Sequence, residues 1–515
     1  MSTHQDPTDA ADRAARDVGA PESPARSSRR RRSRASRAAV QAELARSRDA
    51  RDGSDPAADA GDATGAAEAG KAPTGAAGGR AKATARVPDH EATAPDEGAD
   101  SEIGDEPRLL DHPADGIPEV IDEEATLAEA AAALASGRGP VAVDAERASG
   151  YRYGQRAYLV QLRRAGAGTI LIDPIACPDL TPVARALEGV EWVVHAATQD
   201  LPCLAEVGLA PQRLFDTELG ARLAGQPRVG LAAVVEHYLH LTLAKEHSAV
   251  DWSTRPLPEP WLRYAALDVE VLVELRDAIE ADLAAQGKLD WAREEFHALT
   301  SFTGPTARVD PWRRLSGLHK IRSRRTLGIA RALWYARDEI ARTRDVSPGR
   351  VIPDAALVDI AQAAPTSAAA VVAATTNRAG RRYAVHWLTA SKSALALPED
   401  ELPPRNLPSN GPPPPRAWAD REPLAAARLA RARELLAAFS EEHRVPVENL
   451  LSPDLLRRLL WEPPPPDDAA VREALAQRGA RDWQVDVAAP IILDALTRPA
   501  EPVAAPDPTT AAEAP

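Results

Sequence analysis

Asp144 and Glu146 stand two residues apart at the end of a short apolar run, VAVD at 141–144. In an extended strand that spacing points both side chains to one face. Two like charges side by side repel, so either one holds a proton or both face cations. Hard divalent ions such as Mg²⁺ or Mn²⁺ favour oxygen ligands of this kind. Alone, an Asp-x-Glu pair is also what an ordinary solvated strand end looks like. Asp200 comes next, in WVVHAATQDLPCL, where a strand passes through a loop and Asp200 opens a helix. Capping of the free helical N–H groups would by itself account for an Asp there. His195, at the end of that strand, reads more readily as a packed or hydrogen-bonded side chain than as a catalyst. Tyr264 and Asp268 lie i and i+4 in YAALDV, 264–269, and so share a helix face. Asp268 has Leu267, Val269, Val271 and Leu272 as neighbours. It is therefore either at the exposed edge of an apolar stripe or ligated, while a buried Tyr needs only a hydrogen-bond partner.

The elements that must position these side chains are legible from apolar periodicity. Residues 125–136 predict a helix. VAVD at 141–144, AYLVQL at 157–162, TILIDP at 169–174 and WVVH at 192–195 predict buried strands. Helices are predicted over 180–189, 200–207, 229–241 and 258–283. This order suits an α/β domain with a mixed sheet flanked by helices. From about 310 the strands stop, and 310–390 and 416–500 are both helical in pattern. Between them a Pro-rich segment ends in four prolines, 412–415, and predicts an extended spacer. VSPGRVIPDAAL at 346–357 aligns with VPVENLLSPDLL at 445–456 once one residue is gapped. The two blocks thus read as a diverged duplication.

A chain of 515 residues has room for several domains. Its formal charge of −14 excludes a uniformly basic nucleic-acid coat, so any such binding must use local patches. Arg stands in for Lys almost throughout, which reads as coding bias before phosphate preference. Cys177 and Cys203 make neither a disulfide framework nor a zinc site, and they fit a reducing cytoplasm. No signal-peptide core is visible at the N-terminus, and no stretch reaches the ~18 apolar residues of a membrane span. The chain is therefore expected in the cytoplasm. Residues 1–115 lack the aromatics and apolar runs a core needs and predict a disordered tail, as do 501–515. Within the long tail, Arg26, Arg29, Arg30, Arg31, Arg32, Arg34 and Arg37 form a basic run. It reads as solvated chain or as a nonspecific RNA-tethering arm.

Taken together and in this order, the carboxylates resemble the motifs of the DEDD superfamily of 3′→5′ exonucleases, in its tyrosine subclass. Asp144 and Glu146 match the first motif, Asp200 the second, and Tyr264 with Asp268 the third. The stretch VDWSTRPLPEPWLRYAALDV at 250–269, with HAATQDLPCL and FDT at 215–217, is similar to the ribonuclease D family in particular. The two helical blocks resemble HRDC modules, the second more loosely. The resemblance implies an RNase H-like exonuclease domain over 116–305. An HRDC domain would follow over 308–395, then a linker over 396–415 and a second HRDC-like domain over 416–500. It also implies a two-metal mechanism with Mg²⁺ or Mn²⁺. Asp144 would bridge the ions, Glu146 and Asp268 would hold the one that activates water, and Asp200 would support the other. Tyr264 would mainly position the water, since a free tyrosine pKa of about 10 makes a poor base at neutral pH. RNA would be cut from its 3′ end to nucleoside 5′-monophosphates, as in the processing of tRNA or other structured RNA.

For substrate, the loop RASGYRYGQRAY at 147–158 offers Tyr151, Arg152 and Arg156 for base stacking and phosphate pairing. An ordinary polar hairpin is an equal reading. Arg255 and Lys245 flank the third motif. Residues 310–350 hold eleven Arg and Lys against four acids, Arg322, Arg324 and Arg325 among them, and predict an RNA-binding face. Other readings stay open: an exonuclease on single-stranded DNA, a noncatalytic nucleic-acid-binding protein on a nuclease scaffold, and an adaptor that recruits a helicase.

Overall fold

The computed structural model describes residues 106–500, apart from 245–248, 376 and 408–410. The Arg-rich run at 26–37, the segment 501–515 and Lys245 lie outside the described residues.

The strands are β1 (Arg108–Leu110), β2 (Val120–Ile121), β3 (Arg138–Arg147), β4 (Ala157–Ala165), β5 (Gly168–Ile172), β6 (Glu191–Val194), β7 (Arg213–Asp216) and β8 (Leu241–Leu243). Six of them form one sheet in the order β2-β5-β4-β3-β6-β7. The pairs β3–β4 and β4–β5 are antiparallel, while β2–β5, β3–β6 and β6–β7 are parallel. This is the mixed sheet expected. β1 lies beside β8 in a separate parallel pair. Ordered chain therefore starts before the expected boundary at 116. Leu110 packs on the core and Asp115 pairs with Arg163, so this stretch is tied down at both ends.

Helices cover both faces of the sheet. On one side α1 (Glu124–Ser136), α2 (Thr181–Ala186) and α3 (Leu201–Glu206) pack on Val141, Val143 and Ala145 of β3. On the other lie α4 (Thr217–Leu223), α5 (Leu231–Leu239), α6 (Glu259–Glu270), α7 (Leu272–Ala285) and α8 (Leu289–Leu299). The period of two along β3 sends Ala142, Asp144 and Glu146 to this second side. The long helix expected over 258–283 is broken at Val271, whose φ of −111° and ψ of 5° leave helical geometry. The break lets α6 lie over β3, β4 and β5 while α7 packs on β3 and β6.

The first helical block is built on α9 (Arg324–Thr343), α10 (Asp354–Ala363) and α11 (Ala384–Leu395). Its own core includes Trp312, Leu333, Leu357 and Trp387. The second is built on α12 (Pro423–His443), α13 (Pro453–Trp461), α14 (Asp468–Ala476) and α15 (Asp482–Thr497). Both blocks run long helix, one-turn helix, helix, with the one-turn pieces at Pro348–Val351 and Val447–Leu450. These one-turn helices lie within the two segments that align in sequence, 346–357 and 445–456. The second block has no separate core. Leu436, Leu459 and Trp483 belong to one apolar cluster with Phe215, Ile279 and Phe296 of the nuclease domain. The Pro-rich segment is also no free spacer. Leu402 is buried against Gly328 of α9, and arginines of the first block bind the segment's carbonyls.

Candidate active site

Asp144 and Glu146 come from the C-terminal half of β3, beside the buried centre of the sheet, and Tyr264 and Asp268 from the facing side of α6. One carboxylate oxygen each from Asp144, Glu146 and Asp268 lies within 4.8 Å of the others. Asp200, just before α3, is hydrogen-bonded to Asp144, and its Oδ1 lies 3.7 Å from an Arg147 guanidinium nitrogen. Tyr264 is hydrogen-bonded to Asp268. The five expected residues are thus brought together from three separate segments.

Their electrostatics are those of crowded, desolvated acids. Burial, then mutual repulsion, raises the affinity of the group for protons. Asp144 is shifted up by burial. Glu146 is pushed well up by burial and then by Asp144, Asp268 and Asp200. Asp268 is pushed well up by burial and Asp144. Asp200 is pushed up to about 8 by burial and Asp144, against the pull of Arg147. Four converging carboxylates, with one cation beside them, are a site short of positive charge. The donors are all oxygen and hard, which fits Mg²⁺ or Mn²⁺ and does not fit a thiophilic metal.

Asp200 is aimed by a residue that sequence reasoning noted only as part of FDT. Asp216 accepts backbone N–H bonds from Ala196 and Ala197 at 3.1 and 2.9 Å, and from Glu218 and Leu219 at the start of α4. It thereby fixes the turn in which Ala196 adopts a φ of 60° just before Asp200. Asp200 itself makes no side-chain cap bond to α3, so capping does not explain it. His195 Nδ1 sits 2.9 Å from Thr217 Oγ1, a packed role as read.

The expected substrate residues fare differently. Arg255 is consumed internally. It forms two bonds to Asp173, at 2.5 and 2.8 Å, and donates to the carbonyls of Trp252, Thr254 and Tyr158. It leaves no donor for a phosphate and instead clamps the loop before α6 onto the sheet. Arg324 binds the carbonyls of Glu399, Leu402 and Pro403, and Arg325 those of Leu395 and Leu397 together with the Glu399 carboxylate. Both fasten the Pro-rich segment, which occupies donors that the RNA-gripping expectation had counted on. Most of the basic run is spent in this way: Arg313 on Pro404, Arg337 on Asp354, Arg342 on Glu339 and Arg350 on Gly150. Among the described residues, exposed Arg314, Lys320 and Arg322 form no such bond.

The loop after β3 is a joint between domains. Tyr153 OH donates to Asp338 at 3.0 Å and its ring enters the first block's core. Arg152 pairs with Asp345 at 3.5 Å and donates to Ser253 Oγ at 2.7 Å. Arg350 stacks over the Tyr151 ring at 4.1 Å. Of Tyr151, Arg152 and Arg156, Arg156 alone is exposed, resting over Tyr158 at 4.9 Å.

Comparison with known proteins follows this geometry. A family model described as 3′-5′ exonuclease matches residues 118–284, and one described as HRDC domain matches 326–388. Residues 411–496 match a third, described as 3′ to 5′ exonuclease C-terminal domain. The chain is 32% identical over 337 residues to ribonuclease D of Gluconacetobacter diazotrophicus, covering 63% of this chain and 82% of that one. It is 29% identical over 344 residues to ribonuclease D of Escherichia coli, with 66% and 88% covered. Among solved structures, a protein from Bifidobacterium adolescentis matches at a TM-score of 0.70 and 41% identity, over 76% of this chain and all of that one. Escherichia coli RNase D, described as an exoribonuclease involved in structured RNA processing, matches at 0.55 and 25% identity, over 74% and 99%. With its carboxylates, sheet and helical blocks in this arrangement, the chain belongs to the ribonuclease D family of 3′→5′ exoribonucleases.

Proposed function

We propose that Asp144, Glu146, Asp200 and Asp268 hold two divalent cations, Mg²⁺ or Mn²⁺, and that the site removes nucleoside 5′-monophosphates from the 3′ end of tRNA or another structured RNA. The observation that carries this reading is the convergence of three carboxylates to within 4.8 Å with a fourth bonded to Asp144. Cations held there would supply charge stabilisation at the attacking and leaving oxygens of a phosphodiester. Asp144, central in the cluster, is suited to bridge them. Glu146 and Asp268 stand on the side of Tyr264, and Asp200 stands on the side of Arg147.

Burial, then Asp268 and Glu146, raise the Tyr264 phenol, which favours a positioning hydroxyl over a proton acceptor. Its hydroxyl orients the attacking water and braces Asp268. The nuclease domain over 116–305 would take the 3′ end, while the helical domains over 308–395 and 416–500 frame the RNA body. Two buried free thiols and the lack, among the described residues, of a helix able to cross a membrane fit work in the cytoplasm.

The test is release of mononucleotides from 3′-labelled RNA and DNA, with Mg²⁺, with Mn²⁺ and with excess chelator. RNA should be degraded only with metal, and Asp144→Asn or Asp268→Asn should abolish the reaction while the fold persists. A purified Asp144→Asn protein with wild-type turnover would remove the cluster from catalysis. Equal rates on DNA would widen the substrate class.

A further inference from the structure

Gln161 is fully buried, and neither its amide oxygen nor its amide nitrogen has a hydrogen-bond partner. It stands on β4 opposite Asp144 of β3 in the antiparallel ladder. Opposed residues of such a ladder send their side chains to the same face, with Cβ atoms ~4.5–5.5 Å apart. On its other side Gln161 is in register with Leu171 of β5. Leu171 and Leu159 of this face pack in one cluster with Ala265 and Tyr264 of α6. The amide therefore lies on the catalytic face of the sheet, among apolar side chains, with Asp144 as its polar neighbour in register. A leucine or methionine would fill the same space without the penalty of a desolvated, unbonded amide. Such a group points to a partner present only in the working state.

We propose that Gln161 is a positioning residue for the cluster: its amide N–H donates to the Asp144 carboxylate when that carboxylate carries a cation. Asp144 and Asp200 are hydrogen-bonded to each other, while the Gln161 amide makes no bond to either. An ionised carboxylate is acceptor-only, with about four lone-pair sites. Cations would use those turned to the centre of the site, and the outer ones then need a donor. An uncharged amide supplies it and fixes the carboxylate's rotation, whereas a Lys or Arg would compete with the metal. Outer partners of this kind typically change metal affinity or activity by ~10–100-fold. The inference rests on the metal-binding reading above.

Mn²⁺ binding, followed directly by electron paramagnetic resonance of the full chain, provides the test alongside melting in chelator. Gln161→Met should melt at or above the wild-type temperature without metal, yet bind Mn²⁺ about 10–100-fold more weakly. Its activity should recover at high Mn²⁺ with the RNA KM unchanged. Gln161→Leu is the second variant. If either folds and binds Mn²⁺ as tightly as wild type, the amide does not support the site and the inference fails. If neither folds, the amide is satisfied within the core and the inference fails likewise. Wild type and Asp144→Asn are run in parallel: wild type without Mn²⁺ binding would overturn the metal-binding reading itself, whereas equal binding by wild type and Gln161→Met overturns only the role of Gln161.

Discussion

Tyr264 and His195 show how burial decides what a titratable side chain can do. Tyr264 stays a phenol, so its removal takes away an orienting hydroxyl and not a base. Tyr264→Phe should slow single-turnover hydrolysis by ~10²-fold, the scale of a lost positioning contact, and leave RNA affinity unchanged, because the ring still packs near Trp252. An unchanged rate would reduce Tyr264 to a core residue. His195 is held neutral, its pKa pushed down to about 4 by burial. A histidine that titrates near 6.5 when unfolded then takes up a proton on unfolding between those values. The stability it contributes is complete above pH 6.5 and is lost as the pH falls toward 4, by about 3 kcal/mol in all. Urea midpoints measured in chelator should therefore fall less steeply over this range for His195→Asn than for wild type. Parallel curves would mean that His195 titrates normally. Both roles rest on neighbours distant in sequence, and for that reason Asp200 could be read as a cap until Asp216 was seen holding its turn.

At the scale of elements, strand runs such as VAVD and WVVH were legible because a central strand is apolar on both faces. The edge strand β7 was not, since RLFD has only two apolar residues, set between charged ends. β1 was hidden inside an otherwise polar tail, where only its pairing with β8 gives Leu110 a place to pack. The loop after β3 shows the same limit in chemistry. Aromatic and Arg residues there suit single-stranded RNA and a domain joint equally well, and α9 decides for the joint. Burial and then Asp338 push the Tyr153 phenol up to about 12, as expected of a donor to a carboxylate. A double-mutant cycle with Tyr153→Phe and Asp338→Ala should give a coupling of about 1–2 kcal/mol in chemical unfolding. Additive effects would show that the loop only rests on α9.

For the whole molecule, the two helical blocks are attached by different physics. The first meets the nuclease domain through the loop after β3, by polar bonds and the packing of the single Tyr153 ring. The second shares its apolar core: Trp483 stacks on Trp291 at 5.0 Å and donates to Glu295, and a Cβ on Gly225 would lie 2.7 Å from the Arg444 carbonyl oxygen. Trp483→Ala should thus cost about 3–5 kcal/mol and lower the melting of the nuclease domain with it, in one calorimetric transition. A separate early transition would make the second block an independent unit. The cations the fold leaves unspent are the ones expected to contact RNA. Arg314→Glu, Lys320→Glu and Arg322→Glu together should weaken RNA binding and reduce the slope of log affinity against log salt by about 2, at ~0.7 per phosphate contact for single strands. Arg324→Glu with Arg325→Glu should instead lower stability by freeing the Pro-rich segment. The reverse pattern would restore the original reading of the basic run.

The sequence by itself named the candidate set. Local spacing put Asp144 with Glu146 on one strand face and Tyr264 with Asp268 on one helix face, while the grouping of these four with Asp200 came from the resemblance to the DEDD motifs and not from spacing. The sequence also determined the mixed sheet and the paired helical blocks, since those follow from apolar period. Only the tertiary structure decided how each arginine is used. A guanidinium carries the same charge and donors wherever it lies, and whether they meet a phosphate or a backbone carbonyl depends on which distant segment folds against it. Arg255 with Asp173, and Arg324 with Leu402, are such meetings. The same holds for Gln161, which has the look of an ordinary polar residue in AYLVQL until the register of β4 sets it opposite Asp144 with its amide unbonded.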